Sequence, residues 1–231
     1  MNDSPRDQMK KRFHEEGLDS FDQQELLELL LFYASSPKKD VADLAQRLLE
    51  RFGSATEVFD APVADLVCVK GMTDHMAILM KMIPEISRKY MLSKISDTTD
   101  FSDINKVGKY LTSYYIGVNV ETVVLVLLDS KNKWINLTKV HEGSVNSAAV
   151  TMRKLAETAL FQHAAKVILA HNHPSGTTRP SRADMDLTMR VKNLFRVMEI
   201  EFLGHIIVAG NEFSIIGNTQ KNPCQNKRKR L

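Results

Sequence analysis

AHNHPSG, residues 170–176, is followed by PSRAD, residues 180–184, and the rest of the chain is organised around these two segments. The histidines of the first segment, His171 and His173, end the apolar run 166–170, whose composition predicts a buried strand. Side chains two residues apart on a strand point to the same face, so both imidazoles can reach one ion. The stretch therefore predicts a strand that ends in a pair of candidate metal ligands.

A turn rich in glycine and proline separates these histidines from a third candidate ligand, Asp184. Two imidazoles and a carboxylate are a ligand set that zinc uses in proteins, with a fourth position left for water. The pattern alone leaves other roles open. Ser181 is also typical of a helix N-cap, and Asp184 of an acidic residue in a first helical turn. Glu121 opens an apolar run, where the ordinary role of a carboxylate is a solvated strand end.

Composition and charge narrow the classes of protein. A chain of 231 residues can hold one large domain or two small ones. The net charge is only +3, and Lys227–Arg230 contributes four positive charges, so a broadly basic surface for nucleic acid is not indicated. Cys68 and Cys224 are the only cysteines, which argues against a disulfide framework or a cysteine-built zinc finger. The polar N-terminus and the lack of a long apolar run predict a cytoplasmic protein.

The hydrophobic pattern divides the chain into a helical part and a mixed part. Residues 1–92 show helical periodicity with capping signals and predict a small all-α domain with a tight turn between two helices. Residues 93–103 are polar and without a period, which is typical of a linker. Residues 104–218 alternate strands with helices and predict an α/β (α+β) domain with a mixed sheet flanked by helices. Residues 219–231 form a basic tail.

The spacing of the histidine stretch resembles the motif of the JAB/MPN metalloproteases. It reads His-x-His, seven residues, Ser, two residues and Asp, without a gap. HNHPSG with the later Pro-Ser is similar to the RadC branch of that fold, and the helical part is similar to RadC proteins through Gln24–Leu27, Leu44–Gly53 and Val69–Gly71. The resemblance covers nearly the whole chain except the basic tail and the extreme N-terminus, and it implies a JAB/MPN-type metalloprotease domain.

This resemblance implies a role for each residue of the motif. It places zinc on His171, His173 and Asp184. It makes Glu121, at the head of its strand, the general base, and it lets Ser181 hydrogen-bond the developing oxyanion or the water on zinc. The implied function is zinc-dependent hydrolysis of a peptide or isopeptide bond, with a protein or peptide as the substrate.

The chain departs from the RadC pattern at two places. It has Met152–Lys154 where RadC proteins commonly carry Pro-Arg-Glu, and Gly204-His205 where they usually carry Asp-His. Neither change removes a proposed ligand, but both bear on the surroundings of the site and on its substrate groove. We assign structural roles to His205 and His163.

The helical part suggests an alternative function as a non-enzymatic, DNA-associated accessory protein in repair or recombination. Its tight turn resembles a helix-hairpin-helix unit, with Lys70, Gly71 and Thr73 as candidate DNA contacts. Thr73 replaces the second glycine of that motif and hinders close approach to a phosphate, so a plain packing turn is at least as well supported. The basic tail is a separate candidate for nucleic acid. An HNH endonuclease is disfavoured, because its residues are spread over a ββα-metal unit and are not adjacent.

Overall fold

The computed structural model describes residues 4–36, 41–94, 101, 103–143 and 150–217. Within these residues the chain forms nine α-helices and five β-strands. It divides into two compact units, Met1–Lys89 and Tyr90–Leu231. None of the helices in this described part has the length and apolarity that a membrane span requires. Most of the predicted linker and all of the predicted basic tail lie outside the described residues, and the domain limits given above stay predictions.

The first unit is helical throughout its described residues, as the sequence predicts. Asp22 starts one helix through a capping box, in which its carboxylate accepts from the Glu25 amide at 2.8 Å and the Glu25 side chain accepts from the Asp22 amide at 3.0 Å. Gly53 ends another in a left-handed conformation, with φ of 91°. A short 3-10 turn also occurs at Leu18–Ser20. The helices are α1 (Pro5–Glu16), α2 (Gln23–Ala34), α3 (Ala42–Phe52), α4 (Ala55–Asp60), α5 (Val63–Val67) and α6 (Asp74–Lys94). The last of them runs five residues past the limit of this unit at Lys89.

The second unit alternates helices and strands around one sheet, so the predicted fold class is confirmed. The strand that carries the histidine motif is two residues longer than the apolar run predicts and includes His171 and Asn172. The elements are α7 (Ile104–Tyr114), β1 (Thr122–Leu128), β2 (Trp134–Glu142), α8 (Met152–Phe161), β3 (Lys166–Asn172), α9 (Arg182–Val197), β4 (Glu201–Ala209) and β5 (Glu212–Ile216).

The five strands form a mixed sheet in the order β2-β1-β3-β4-β5. β1 is antiparallel to β2 and to β3, β3 is parallel to β4, and β4 is antiparallel to β5. The parallel pair requires a crossover, which α9 supplies. The connection from β3 to α9 leaves the first turn of the helix beside the end of β3, where the histidine motif lies.

Helices cover both faces of the sheet. One face buries Leu125 and Leu169 against α8 and α9, and the other buries Val126 and Ile168 against α7. The central strand β1 is buried along its whole length and therefore reads as a continuous apolar run. Because alternate residues of β3 face alternate sides, His171 shares the α8 and α9 face with Leu169.

Candidate metal centre

Three predicted ligands meet at the end of β3 and the start of α9. His171 Nε2 lies 2.9 Å from His173 Nε2 and 3.1 Å from Asp184 Oδ1. His173 Nε2 lies 3.4 Å from Asp184 Oδ2. His171 and Asp184 are buried, whereas the His173 side chain keeps 12% of its surface exposed. The cluster thus has an inner wall of buried groups and one side open to solvent.

The register of the sheet brings Glu121 to this cluster from fifty positions earlier in the sequence. Val123 of β1 pairs with His171 of β3 in an antiparallel ladder, so Glu121 comes next to His173 one step beyond the paired residues. Its Oε1 lies 4.0 Å from His171 Nε2, and its side chain is 24% exposed. Its backbone carbonyl accepts from the Gly143 amide at 2.8 Å, which fixes this end of β1 against the end of β2.

Asp184 is held by a capping box as well as by the histidines. The Ser181 hydroxyl accepts from the Asp184 amide at 3.1 Å, and Asp184 Oδ2 accepts from the Ser181 amide at 2.7 Å. Burial raises the pKa of Asp184, but the contacts with His171 and Ser181 outweigh this effect and hold the pKa well below its usual range. Asp184 is therefore an ionised carboxylate at neutral pH. In the same conformation it caps α9 and faces the two histidines as a metal ligand would.

Ser181 is exposed at the N-terminus of α9. Its oxygen accepts from an amide of the helix, which leaves its hydroxyl proton for another acceptor on the open side of the cluster. The N-cap reading from sequence is thus correct in geometry, and it is compatible with a contact to a substrate.

The donor set fits a metal ion. Glu121, His171 and His173 form a group whose ligand atoms lie within 4.8 Å of one another. The His173 Nδ1 contacts the carbonyl of Thr177 at 2.8 Å, and a carbonyl only accepts, so Nδ1 carries the proton and Nε2 presents a lone pair. Donors around a tetrahedral zinc are roughly 3.3 Å apart at bond lengths of about 2.0–2.1 Å. The separations of 2.9, 3.1 and 3.4 Å among the three predicted ligands match that spacing.

Asn172, between the two histidines, points to the other face of the sheet and anchors the segment that carries Glu121. Its Oδ1 accepts from the Thr122 amide at 2.7 Å. Its Nδ2 donates to the carbonyls of Val118 at 2.9 Å and Val120 at 3.2 Å. The backbone is thus held on both sides of Glu121 by one buried side chain.

His205 lies behind His171, a contact that the sequence analysis did not foresee. It is fully buried on β4, with its Nε2 2.8 Å from His171 Nδ1 and its Nδ1 2.6 Å from Thr188 Oγ1. Burial, with a smaller contribution from His171, lowers the pKa of His205 to about 3, so the ring is neutral at pH 7. Thr188 stands one turn after Asp184 on α9, and this i, i+4 spacing is the signal that could have linked the two.

The turn that sequence analysis linked to DNA has local packing roles in the first unit. Gly71 adopts φ of 97°, which favours glycine, and Arg47 Nε donates to the Lys70 carbonyl at 3.2 Å. The Thr73 hydroxyl accepts from the Met76 amide at 3.3 Å and so caps α6. The suggested DNA contacts through Lys70, Gly71 and Thr73 stay a prediction.

Comparison with known proteins gives the family of this chain. The family model described as the RadC-like JAB domain matches residues 101–221. A UPF0758 protein of Cupriavidus necator is 34% identical over 203 residues, which cover 88% of this chain and 89% of that protein. A UPF0758 protein of Pseudoalteromonas translucida is 32% identical over 201 residues, which cover 87% of this chain and 89% of that protein. The chain belongs to the RadC family. The resemblance noted in the sequence is confirmed, and the JAB-type fold belongs to the unit that carries the cluster.

One departure from the RadC pattern has a clear physical basis in this member of the family. Gly204 adopts φ of 155°, and a side-chain carbon there would lie 2.9 Å from Ile104 Cδ1 and 3.4 Å from Ile215 Cγ2. It also follows a register shift between Val167 and Ile168 in the pairing of β3 with β4. The glycine therefore permits close packing of α7 and β5 against β4, and the side chain of the next residue, His205, still reaches the cluster.

Proposed function

We propose that this RadC-family protein is a zinc-dependent hydrolase of peptide or isopeptide bonds, with a protein or peptide as its substrate. The observation that carries the proposal is the convergence of His171, His173 and Asp184 at tetrahedral spacing, with the Glu121 carboxylate 4.0 Å from the first of them. Membership of a JAB-type family supports the same reaction class. Three ligands and a nearby base are the parts that metal-assisted hydrolysis requires.

His171, His173 and Asp184 would hold the ion, and the remaining residues would move protons and stabilise charge. When bound, zinc would lower the pKa of a water at its open position and polarise the scissile carbonyl. Glu121 would accept a proton from the attacking water and pass it to the leaving amine. The Ser181 hydroxyl would donate to the oxyanion that develops on the carbonyl oxygen.

The exposure pattern supports a large substrate. Ser181 is exposed, and the side chains of Glu121 and His173 keep 24% and 12% of their surface accessible, whereas His171 and Asp184 are buried. The groups that would act on the substrate thus line the solvent side, and the groups behind them are sealed from water. An extended peptide can approach such a site without entering a closed cavity.

Metal content tests the binding half of the proposal. We expect about one zinc per wild-type chain after purification and exposure to zinc, and strongly reduced zinc in His173→Ala, measured by atomic emission. His163→Asn is the matched control, because His163 is exposed, lies outside the cluster and has a left-handed φ of 51° that asparagine tolerates. Negligible zinc in both the wild type and His173→Ala would refute the metal centre.

Glu121→Gln tests the catalytic half. Glutamine keeps the size of the side chain but cannot take the proton from water, so hydrolysis should fall by roughly 10²–10⁴. The zinc content should stay at the wild-type value, since the three proposed ligands are intact. The measurement is cleavage of a peptide library, including isopeptide-linked peptides, by zinc-loaded protein. Equal cleavage by wild type and Glu121→Gln would refute the assignment of the base.

A further inference from the structure

The hydrogen bonds behind His171 have a defined direction that starts at the backbone of α9. The Thr188 hydroxyl lies 2.6 Å from the carbonyl oxygen of Asp184, and a carbonyl only accepts, so the hydroxyl proton is used there. The same hydroxyl oxygen lies 2.6 Å from His205 Nδ1 and can only accept from it. His205 therefore carries a proton on Nδ1.

The same reasoning fixes which atom donates in the hydrogen bond between His205 and His171. A neutral imidazole has one proton, so the Nε2 of His205 is left as an acceptor. It faces His171 Nδ1 at 2.8 Å, and His171 must then donate from Nδ1. When His171 is neutral, its lone pair is thereby placed on Nε2, the atom that lies 2.9 Å from His173 Nε2 and 3.1 Å from Asp184 Oδ1.

We propose that Thr188 and His205 are positioning residues that fix the tautomer of His171, so that its Nε2 is ready to bind the metal. The inference rests on the metal centre proposed above and adds two residues to it. Ligand histidines in proteins usually donate to a carboxylate, a backbone carbonyl or water. Here the acceptor is an uncharged ring, which adds no negative charge behind the ligand and would leave more positive charge on a bound ion for polarising a carbonyl.

The matched pair Thr188→Val and Thr188→Ser tests this chain of hydrogen bonds. Valine has the shape of threonine without the hydroxyl, so the Nδ1 proton of His205 loses its acceptor. Serine keeps the hydroxyl and should keep the direction of every bond. We expect the dissociation constant for zinc, measured by competition with a chelator, to rise roughly 10–100-fold in Thr188→Val and to stay within about threefold of wild type in Thr188→Ser.

A second measurement reads the tautomer without any metal. Two-bond ¹H–¹⁵N spectra of metal-free protein, with His171 assigned by substitution, distinguish a proton on Nδ1 from one on Nε2. We expect the Nδ1–H form in wild type and Thr188→Ser, and a shift toward the Nε2–H form in Thr188→Val. If Thr188→Val does not fold, His205→Gln, which retains an acceptor, and His205→Leu, which does not, replace the pair and should differ in the same way.

The outcomes separate this inference from the proposed function. Absence of zinc binding by wild type, with His171 in the Nδ1–H form, would refute the metal centre and leave the tautomer assignment standing. Wild-type zinc binding with His171 in the Nε2–H form before metal is added would overturn the inference alone. Equal zinc affinities for Thr188→Val and Thr188→Ser would also overturn it.

Discussion

Replacing Asn172 by leucine should weaken the second unit by an amount that its hydrogen bonds define. Leucine keeps the branching of asparagine at Cγ, with bulkier end groups, but cannot accept from the Thr122 amide or donate to the carbonyls of Val118 and Val120. Asn172 and Thr122 are only 5% and 4% exposed, so water cannot take over the bond to this amide. The change therefore isolates the cost of leaving buried backbone groups without partners.

The size of the effect follows from the partners of each group. A buried amide left unsatisfied costs about 1–3 kcal/mol, which applies to Thr122. The Val120 carbonyl keeps a second donor, the Thr122 hydroxyl at 3.0 Å, so the loss of its bond from Asn172 should change the free energy of unfolding little. The Val118 carbonyl loses its 2.9 Å bond and adds about 1 kcal/mol. We expect the free energy of unfolding to fall by about 2–4 kcal/mol.

The chain contains a single tryptophan, which reports on this unit selectively. Trp134 lies on β2 and packs against Phe101 and Tyr110 at centroid distances of 4.8 and 5.0 Å. Urea unfolding followed by its fluorescence therefore measures the second unit without requiring that both units unfold together.

Asn136→Leu is the matched control for this experiment. Asn136 is an exposed asparagine on β2 whose hydrogen bonds to Gln162 and to the Leu137 amide are open to water, so its loss should stay within about 0.5 kcal/mol of wild type. A fall of less than about 0.5 kcal/mol for Asn172→Leu would refute the reasoning. A loss of stability equal to that of the control would refute it in the same way, because burial would then have made no difference.

Three further predictions use the same fluorescence assay. In metal-free protein the pKa of His205 is lowered from 6.5 to about 3, so the unfolded chain binds the extra proton and stability falls by about 1.4 kcal/mol per pH unit as the pH drops below 6.5. Between pH 6.5 and pH 5, the free energy of unfolding of His205→Gln should fall by about 2 kcal/mol less than that of wild type. Parallel pH profiles of the two proteins would contradict this. Ser181→Ala and Thr151→Ala each remove an N-cap and should each cost about 1 kcal/mol, but only Ser181→Ala should slow peptide cleavage, by roughly 10²–10³. Equal cleavage by these two variants would show that Ser181 only caps α9 and does not take part in the reaction. Gly108→Ala should destabilise by about 1–3 kcal/mol despite the better helix propensity of alanine, because the new carbon would lie 2.3 Å from the Phe213 ring; a stabilised variant would contradict this packing.

Local signals in the sequence were sufficient for most of the fold. The helical first unit and the alternation of strands and helices in the second follow from the hydrophobic pattern, and α9 begins at Arg182 because Ser181 is a recognisable cap. The end of β3 was predicted too early. His171 and Asn172 extend the strand because they pair with Ile207 and Val208 of β4, and such pairing depends on a partner far away in the sequence.

The candidate site was predictable where its residues follow one another and unpredictable where the sheet brings them together. His171, His173 and Asp184 lie within one short stretch, so their spacing could be read from the sequence. Glu121 was identified only through a family resemblance, and its placement depends on the register of β1 with β3. His205 reaches the site through the parallel pairing of β4, a contact that no local pattern encodes.

Asp184 is both a capping residue of α9 and a proposed metal ligand, and this connects the stability of the second unit to the proposed chemistry. Its carboxylate completes the cap of α9, and the positive end of that helix favours the ionised form together with the contacts with His171 and Ser181. A metal at this site would then not have to displace a proton from the carboxylate at neutral pH. The interactions that begin the helix therefore also prepare the ligand, so that substituting Asp184 should reduce helix stability and metal affinity together, whereas Ser181→Gly, which spares most of the cap energy, should reduce neither by much.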